Sequence, residues 1–88
     1  MVIRIDSLEK GPARVLHLAG SVAGPDVAVL RELIGREGVP DRIDLSDVEF
    51  VDSEGADALL GLEARGASLV AAEPFVELLL RRRPRASG

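Results

Sequence analysis

A hydroxyl and a group of carboxylates lie close together in this sequence, and they are the side chains best placed to do chemistry. Asp52 and Ser53 precede Gly55 and the start of an apolar helical pattern. Aspartate and serine are preferred at helix N-caps, because their side-chain oxygens accept hydrogen bonds from the first free backbone amides. A serine hydroxyl at a helix N-terminus can also carry a phosphate, which adds roughly −1.5 to −2 charges. The pattern therefore predicts either a simple N-cap or a modification site.

The same part of the chain is strongly acidic. Residues 41 to 57 contain one basic residue, Arg42, and seven carboxylates: Asp41, Asp44, Asp47, Glu49, Asp52, Glu54 and Asp57. Open α/β sheets place their binding sites outside the carboxyl ends of strands, where this stretch falls in the predicted order of elements. The alternative is a solvated acidic rim. A calcium loop is excluded, because Val48 and Phe50 stand at ligand positions and the sixth position has no glycine.

The sequence lacks the other common catalytic and ligand-binding patterns. His17 is the single histidine and lies in an apolar strand pattern, and a hydrolase would need it to meet Ser53 without the usual elbow motif. No glycine-rich phosphate loop of the Walker type is present, and there is no cysteine. We therefore predict no catalytic residue, no cofactor and no metal site, in a protein that is not an enzyme.

Composition favours one small domain. The chain has 88 residues, of which 47% are hydrophobic, so it can bury a single core. No apolar run approaches the roughly 20 residues that cross a bilayer, and the N-terminus has no signal-peptide pattern. The absence of cysteine fits a reducing compartment. These features predict a cytoplasmic protein without membrane insertion.

Charge divides the chain into an acidic body and a basic end. Residues 1 to 80 carry fifteen acidic and seven basic side chains, whereas residues 81 to 88 carry four arginines. We predict one domain over residues 1 to 80 and an unstructured basic tail over residues 81 to 88. Because the body is acidic and the chain has no Trp or Tyr on which bases could stack, we predict no nucleic-acid partner.

Hydrophobic periodicity predicts four strands and three helices in the order ββαβαβα. The predicted strands span residues 2 to 7, 14 to 19, 42 to 45 and 67 to 72. The first predicted helix begins at Pro25 and stops between Gly35 and Gly38, and the other two span residues 53 to 65 and 74 to 80. From the third strand onward each strand is reached through a helical crossover, which is typical of an α/β fold.

The same patterns predict which faces are buried. Residues 14 to 19 are apolar on both sides of the strand, as in a strand covered on both faces. In the third helix, Phe75, Leu78 and Leu79 recur at spacings of three and four, so we expect them to pack on the sheet.

The second helix is predicted to present a mixed strip to solvent. At 100° per residue, the helix has a buried side of Gly55, Ala58, Leu59 and Leu62 and an opposite side of Ser53, Asp57, Leu60 and Ala64. A small apolar strip beside a hydroxyl, ringed by carboxylates such as Glu54, is typical of a modest protein-docking surface.

Residues 42 to 55 read Arg-Ile-Asp-Leu-Ser-Asp-Val-Glu-Phe-Val-Asp-Ser-Glu-Gly. This segment, continued through Leu59 and Leu60, resembles the signature of STAS domains, the family of bacterial anti-sigma factor antagonists. A weaker likeness runs from Ala13 to Leu80. In the family, a strand that ends in Asp-Leu-Ser precedes an Asp-Ser-small-Gly segment that opens a helix. The resemblance implies an α/β fold, a single STAS-like domain whose four-stranded mixed sheet has three helices packed mainly on one face.

The resemblance also implies a function. It predicts a module that binds an anti-sigma factor with serine kinase activity while Ser53 is unmodified, and that is released when Ser53 is phosphorylated. Asp52 matches the aspartate that supports this serine, and we expect Glu54, Asp57 and Leu60 to line the docking face. Two alternatives remain: a non-switching adaptor subunit of an ABC-type lipid transport complex, and a STAS domain that binds a small ligand or nucleotide.

Overall fold

Four strands and three helices follow one another in the predicted order. The computed structural model describes residues 3 to 81. The elements are β1 (Arg4–Lys10), β2 (Ala13–Val22), α1 (Asp26–Glu37), β3 (Arg42–Val51), α2 (Ser53–Ala64), β4 (Ser68–Val70) and α3 (Pro74–Arg81).

The strands form one mixed sheet in the order β1-β2-β3-β4. A tight turn at Gly11, whose φ is +61°, joins β1 to β2 as an antiparallel pair. β2 pairs with β3, and β3 with β4, in parallel, because α1 and α2 return the chain to the same end of the sheet. The predicted α/β class and the four-stranded mixed sheet are confirmed.

The helices form a single layer, in which α2 lies between α1 and α3 and contacts both. Beneath this layer, the central strands contribute side chains with no exposed surface, among them Leu16, Leu18, Ile43 and Leu45. They form one core with the buried residues of all three helices. The expectation of helices on one face is therefore confirmed.

The opposite face of the sheet has no helix over it in residues 3 to 81, so the prediction that β2 is covered on both faces was wrong. Asp6, His17 and Asp44 lie side by side there on three neighbouring strands. Val15 is still only 6% exposed, because Leu8 and Arg42 flank it in the sheet register. The apolar residues on this side of β2 are shielded by neighbours within the sheet.

β3 is longer than predicted, since it runs to Val51 and not to residue 45. Its pairing with β2 shifts register twice, between His17 and Ala19 and between Gly20 and Ser21. At each shift β3 carries one residue more than β2, as in a β-bulge. Every third residue from Leu45 to Val51 is buried and the two between are exposed. Strict alternation is lost, which explains why the sequence pattern ended the strand too early.

Several other boundaries also differ from the sequence prediction. β1 runs to Lys10 and β2 extends from Ala13 to Val22, while β4 is reduced to three residues, Ser68–Val70. β4 stops there because Ala71 adopts a left-handed φ of +62°, which breaks an extended strand.

Glycine and arginine together end α1. The N–H of Gly38 donates to the carbonyl of Ile34 at 2.7 Å, with φ of Gly38 at +87°. The guanidinium of Arg14, at the start of β2, donates to the carbonyls of Glu37 and Gly38 at 2.7 Å each. These bonds satisfy the last carbonyls of the helix and place a positive charge at the negative end of its dipole.

The face of α3 that packs on the core is not the one predicted. Val76 and Leu80, four residues apart, are each 1% exposed, whereas Phe75 and Leu78 are 55% and 52% exposed. Leu79 is half-buried. Arg81 is the last residue of α3. The remainder of the predicted basic tail, residues 82 to 88, lies outside the described residues, so its lack of structure stays a prediction.

Candidate functional site

Asp52 is the N-cap of α2 and holds two loops together. Its backbone is extended, with φ of −90° and ψ of −174°. One carboxylate oxygen, Oδ1, accepts a hydrogen bond from the N–H of Gly55 at 2.7 Å, within the first turn of the helix. The other, Oδ2, accepts from the N–H of Gly24 at 2.8 Å, in the loop between β2 and α1. One side chain thus joins the carboxyl-end loops of two neighbouring strands.

These amides stabilise the charged form of Asp52. The hydrogen bond from Gly55, with that from Gly24, lowers the pKa of the Asp52 carboxyl below its ordinary value, while partial burial acts in the opposite direction. A carboxylate that accepts backbone N–H bonds is held ionised at neutral pH. Asp52 is therefore a charged support for the start of α2 at neutral pH.

Gly55 allows α2 to approach β2 closely. A Cβ atom at this position would lie 1.8 Å from the carbonyl oxygen of Val22, far inside any permitted contact. The N–H of Asp52 also donates to that oxygen, at 3.3 Å. The helix N-terminus therefore sits against the last residue of β2, and only glycine fits there. This is the physical reason for a glycine three residues after Asp52.

Ser53 is the first residue of α2 and its side chain is exposed. Because Asp52 supplies the capping oxygen, the Ser53 hydroxyl is not needed to close the helix. The neighbouring Glu54 is also exposed, in the first turn. Of the two capping residues that the sequence allowed, the structure selects Asp52 and leaves Ser53 at the surface.

The structure exposes only part of the predicted strip along α2. Asp57 is exposed, whereas Leu60 is half-buried and packs against the edge of the core. The buried side consists of Gly55, Ala58, Leu59 and Leu62, as expected, together with Ala56. Ser53, Glu54, Asp57 and Leu60 thus occupy the first two turns of one helix, with Asp52 beneath its start. The structure places these residues together, and their role in binding stays a prediction.

A groove between α1 and α2 adjoins this strip, and sequence reasoning missed it. It encloses about 320 Å³ over an apolar floor that includes Leu30 and Ile34. Arg31 and Arg65 stand at its rim with Asp57. The helices that line it are far apart in the sequence, so no local motif could have shown that α1 contributes to the surface.

His17 lies on the sheet face opposite the helices, and it cannot act on Ser53. Its Nε2 is 2.9 Å from a carboxylate oxygen of Asp47, and its Nδ1 is 3.9 Å from one of Asp6. Asp44 is the next residue in register, and the N–H of Ser46 together with the nearby His17 lowers the pKa of its carboxyl. His17 is thus a half-buried imidazole beside two carboxylates. Residues 3 to 81 contain no group of three or more His, Asp or Glu side chains arranged to hold a metal ion.

No protein-family model matches the sequence, and no curated protein matches it either. Solved structures do match the fold. The anti-sigma factor antagonist SpoIIAA, in its unphosphorylated form, superimposes with a TM-score of 0.61 over 94% of this chain and 84% of its own, at 21% sequence identity. The chain has a STAS-like fold. The match covers nearly all of the described residues, as the resemblance of the Asp52-Ser53 segment to STAS domains implied.

A second structure with this fold is also similar. It is an uncharacterised protein with a SpoIIAA-like fold from Shewanella loihica, which superimposes with a TM-score of 0.56 over 91% of this chain and 75% of its own, at 14% identity. At these identities the likeness establishes the STAS-like fold and not the function. No helix within residues 3 to 81 has the length and apolar character required to cross a membrane.

Proposed function

We propose that this STAS-like domain is a phosphorylation-switched protein-binding module in which Ser53 is the phosphoacceptor. The observation that carries the proposal is the division of roles at the start of α2. Asp52 makes the capping hydrogen bond to Gly55, while the Ser53 hydroxyl is left exposed at the helix N-terminus. A kinase can therefore modify Ser53 without removing a bond that holds the fold.

A phosphate on Ser53 would change binding more than stability. The helix dipole and the first amides of α2 favour the added charge, whereas the carboxylates of Glu54 and Asp57 oppose it. At an exposed site these effects are of similar, small size. A partner that covers Ser53 without a cation opposite the phosphate would have to desolvate it, at a cost of several kcal/mol. The modification would thus release the partner and leave the domain folded.

The proposed docking face consists of the exposed strip of α2 with its support. Ser53, Glu54 and Asp57 would provide polar contacts and Leu60 an apolar one, while Asp52 would hold the helix start in position. An interface of this kind combines a small apolar centre with a polar rim. The groove between α1 and α2 continues the same surface.

In this proposal the partner is an anti-sigma factor with serine kinase activity, an ATPase-type protein of the cytoplasm. Support comes from the fold, since the similar SpoIIAA is itself an anti-sigma factor antagonist whose structure is that of an unphosphorylated form. The domain would act as a binding module in transcription regulation and would itself perform no catalysis.

A second candidate is a non-switching adaptor, in which the same helix docks permanently on the ATPase of an ABC-type lipid transport complex. Glu54 favours this candidate, because its carboxylate directly follows Ser53 and would repel an added phosphate. A third candidate is a domain that binds a small ligand or nucleotide. The groove between α1 and α2 favours it, since an apolar floor there lies beside the guanidinium groups of Arg31 and Arg65.

Phosphorylation of the purified protein by serine kinases encoded in its own genome tests the switch. We expect mass spectrometry to find one added phosphate on the wild type and none on Ser53→Ala. A Glu54→Ala variant should be phosphorylated faster, because the repelling carboxylate is gone.

Binding to the identified kinase provides the second measurement. Ser53→Ala should bind like the wild type, whereas Ser53→Asp should bind at least roughly tenfold more weakly, since a buried unpaired charge costs more than about 1.4 kcal/mol. The matched control is Ser68→Asp, which adds the same charge to an exposed residue at the opposite end of the sheet. Equal binding by Ser53→Asp and Ser68→Asp would refute the switch, and permanent copurification with an ATPase would then favour the adaptor.

A further inference from the structure

Both aromatic side chains described in this chain are at its surface. The sequence has two phenylalanines and no Trp or Tyr. Phe50, near the end of β3, is 42% exposed, and Phe75, at the start of α3, is 55% exposed. Phenylalanine is usually buried, because its ring offers a large apolar surface to a core. In this chain smaller aliphatic residues fill the core, while both described rings are exposed. This distribution indicates a surface that another molecule covers.

Phe75 lines a groove between α3 and β3. The groove encloses about 410 Å³, and Val48 and Val76 form its apolar floor beside Phe75. It exists because β4 pairs with β3 only from Arg42 to Asp44, so that no strand of residues 3 to 81 covers the rest of that edge. The groove lies on the far side of β3 from β2 and is distinct from the groove between α1 and α2.

Carboxylates surround this apolar floor. Asp47, Glu49 and Glu73 line the groove, and among residues 3 to 81 no basic side chain does. All three carboxylates are exposed, and Oδ2 of Asp47 also lies 2.9 Å from Nε2 of His17. The bulge at Glu49 turns two consecutive side chains, Glu49 and Phe50, to solvent, where a regular strand would expose only one. The irregular register of β3 thus brings Glu49 to the rim of the groove, whereas Phe50 is not among the residues that line it.

We propose that the groove between β3 and α3 binds an extended basic segment of a partner protein that carries an apolar residue. The apolar residue would contact Phe75 and Val76, and arginine or lysine side chains would pair with Glu49 and Glu73. A guanidinium can also stack on the exposed ring of Phe75. Phosphate groups of lipids or nucleic acids would be repelled by the same carboxylates, so charge favours a basic polypeptide.

This surface goes beyond the switch at Ser53 and does not depend on it. The proposed docking strip begins at Ser53 on α2, whereas the groove is lined by residues of β3 and α3. Substitution of Ser53 leaves every residue of the groove in place. Failure of one proposal therefore leaves the other standing.

A labelled peptide tests the proposal directly. The probe is a fluorescein-labelled synthetic peptide of alternating arginine and leucine, and fluorescence anisotropy measures its dissociation constant with the full chain. We expect Phe75→Ser, and separately the double variant Glu49→Gln/Glu73→Gln, to raise this constant roughly tenfold, as loss of an aromatic anchor or of two charge pairs does. Ser53→Asp should leave it within about twofold.

Matched variants separate a specific groove from general attraction to an acidic protein. Glu9→Gln/Glu32→Gln removes the same charge from two other exposed positions, and Val29→Ser removes another exposed apolar side chain. Both should bind within about twofold of the wild type, with unchanged thermal unfolding for all variants. Equal weakening by the control and groove variants would overturn the proposal. The unlabelled chain could instead self-associate, and the triple variant Arg82→Ser/Arg83→Ser/Arg85→Ser could abolish that self-association. This result would also overturn the proposal, because it would identify a second copy of the chain as the occupant of the groove.

Discussion

Replacing Gly55 by alanine tests the contact that positions Ser53. The new Cβ would lie 1.8 Å from the carbonyl oxygen of Val22, 2.8 Å from its carbonyl carbon and 3.2 Å from its Cγ1. Two of these atoms belong to the backbone of a central strand and cannot rotate away. Relief requires the start of α2 to move outward by more than an ångström, because ordinary contacts are about 3.5 Å or longer.

The energetic cost can be worked out from three contributions. Overpacking of this kind costs about 1 to 3 kcal/mol. The movement also strains the bonds from Gly55 and Gly24 to Asp52, and a lost N-cap costs about 1 kcal/mol. Alanine in place of glycine inside a helix returns up to about 1 kcal/mol. We therefore expect Gly55→Ala to lose about 1 to 4 kcal/mol, which lowers the Tm of a domain of this size by roughly 5 to 30 °C.

Gly61→Ala is the matched control in the same helix. Gly61 is exposed and a Cβ there would meet no atom within 4 Å. This variant should gain about 0.5 to 1 kcal/mol from helix propensity and the reduced entropy of the unfolded chain. Thermal and urea unfolding of both variants, followed by circular dichroism, measures the difference. If Gly55→Ala were as stable as Gly61→Ala, α2 could not rest against Val22 and the placement of Ser53 would be wrong.

Three further predictions concern the cap, the third helix and the end of α1. Asp52→Asn should lose about 1 kcal/mol at pH 7, because the ionised carboxylate accepts bonds from two backbone amides. The pKa of Asp52 is lowered on folding, so its contribution to the free energy of unfolding is complete above the ordinary carboxyl pKa and is lost as the pH falls through the lower pKa of the folded state. In urea unfolding, the stabilities of the wild type and Asp52→Asn should therefore converge as the pH falls below about 4. Leu80→Ala should cost about 2 to 4 kcal/mol in urea unfolding, whereas Phe75→Ala should cost under about 1 kcal/mol, and the reverse order would mean that α3 packs by its other face. Arg14→Lys should lose about 1 kcal/mol in thermal unfolding, since an ammonium cannot bond the carbonyls of Glu37 and Gly38 with the same planar fork, and unchanged stability would show that the cap contributes nothing.

The parts of the fold that are local in sequence could be predicted from it. The turn at Gly11, the stop of α1 at Gly38 and the start of α2 after Asp52 each depend on one residue type in one backbone conformation. The order of elements and the class of sheet follow from those boundaries. Exposure of Ser53 and Asp57 also follows, because helical periodicity is regular over twelve residues, whereas Leu60 packs against the core.

Features set by tertiary contacts could not be predicted in this way. The second half of β3 was missed because two bulges change the burial period from two to three. The packing face of α3 was wrong because nearly every residue of this helix is apolar, so periodicity could not separate Val76 and Leu80 from Phe75 and Leu78. The second bond of Asp52 was missed because Gly24 lies 28 residues away.

The bulges of β3 also bear on how an open strand edge avoids pairing with a second molecule. An edge strand with a regular row of free N–H and C=O groups is a template on which a second molecule can add its own strand, and such pairing leads to aggregates. The segment from Leu45 to Val51 has no neighbouring strand on its outer side within residues 3 to 81, yet its irregular register interrupts that row. The bulges thus disfavour edge-to-edge pairing with a second molecule, while the edge of β3 stays accessible to the side chains of a partner.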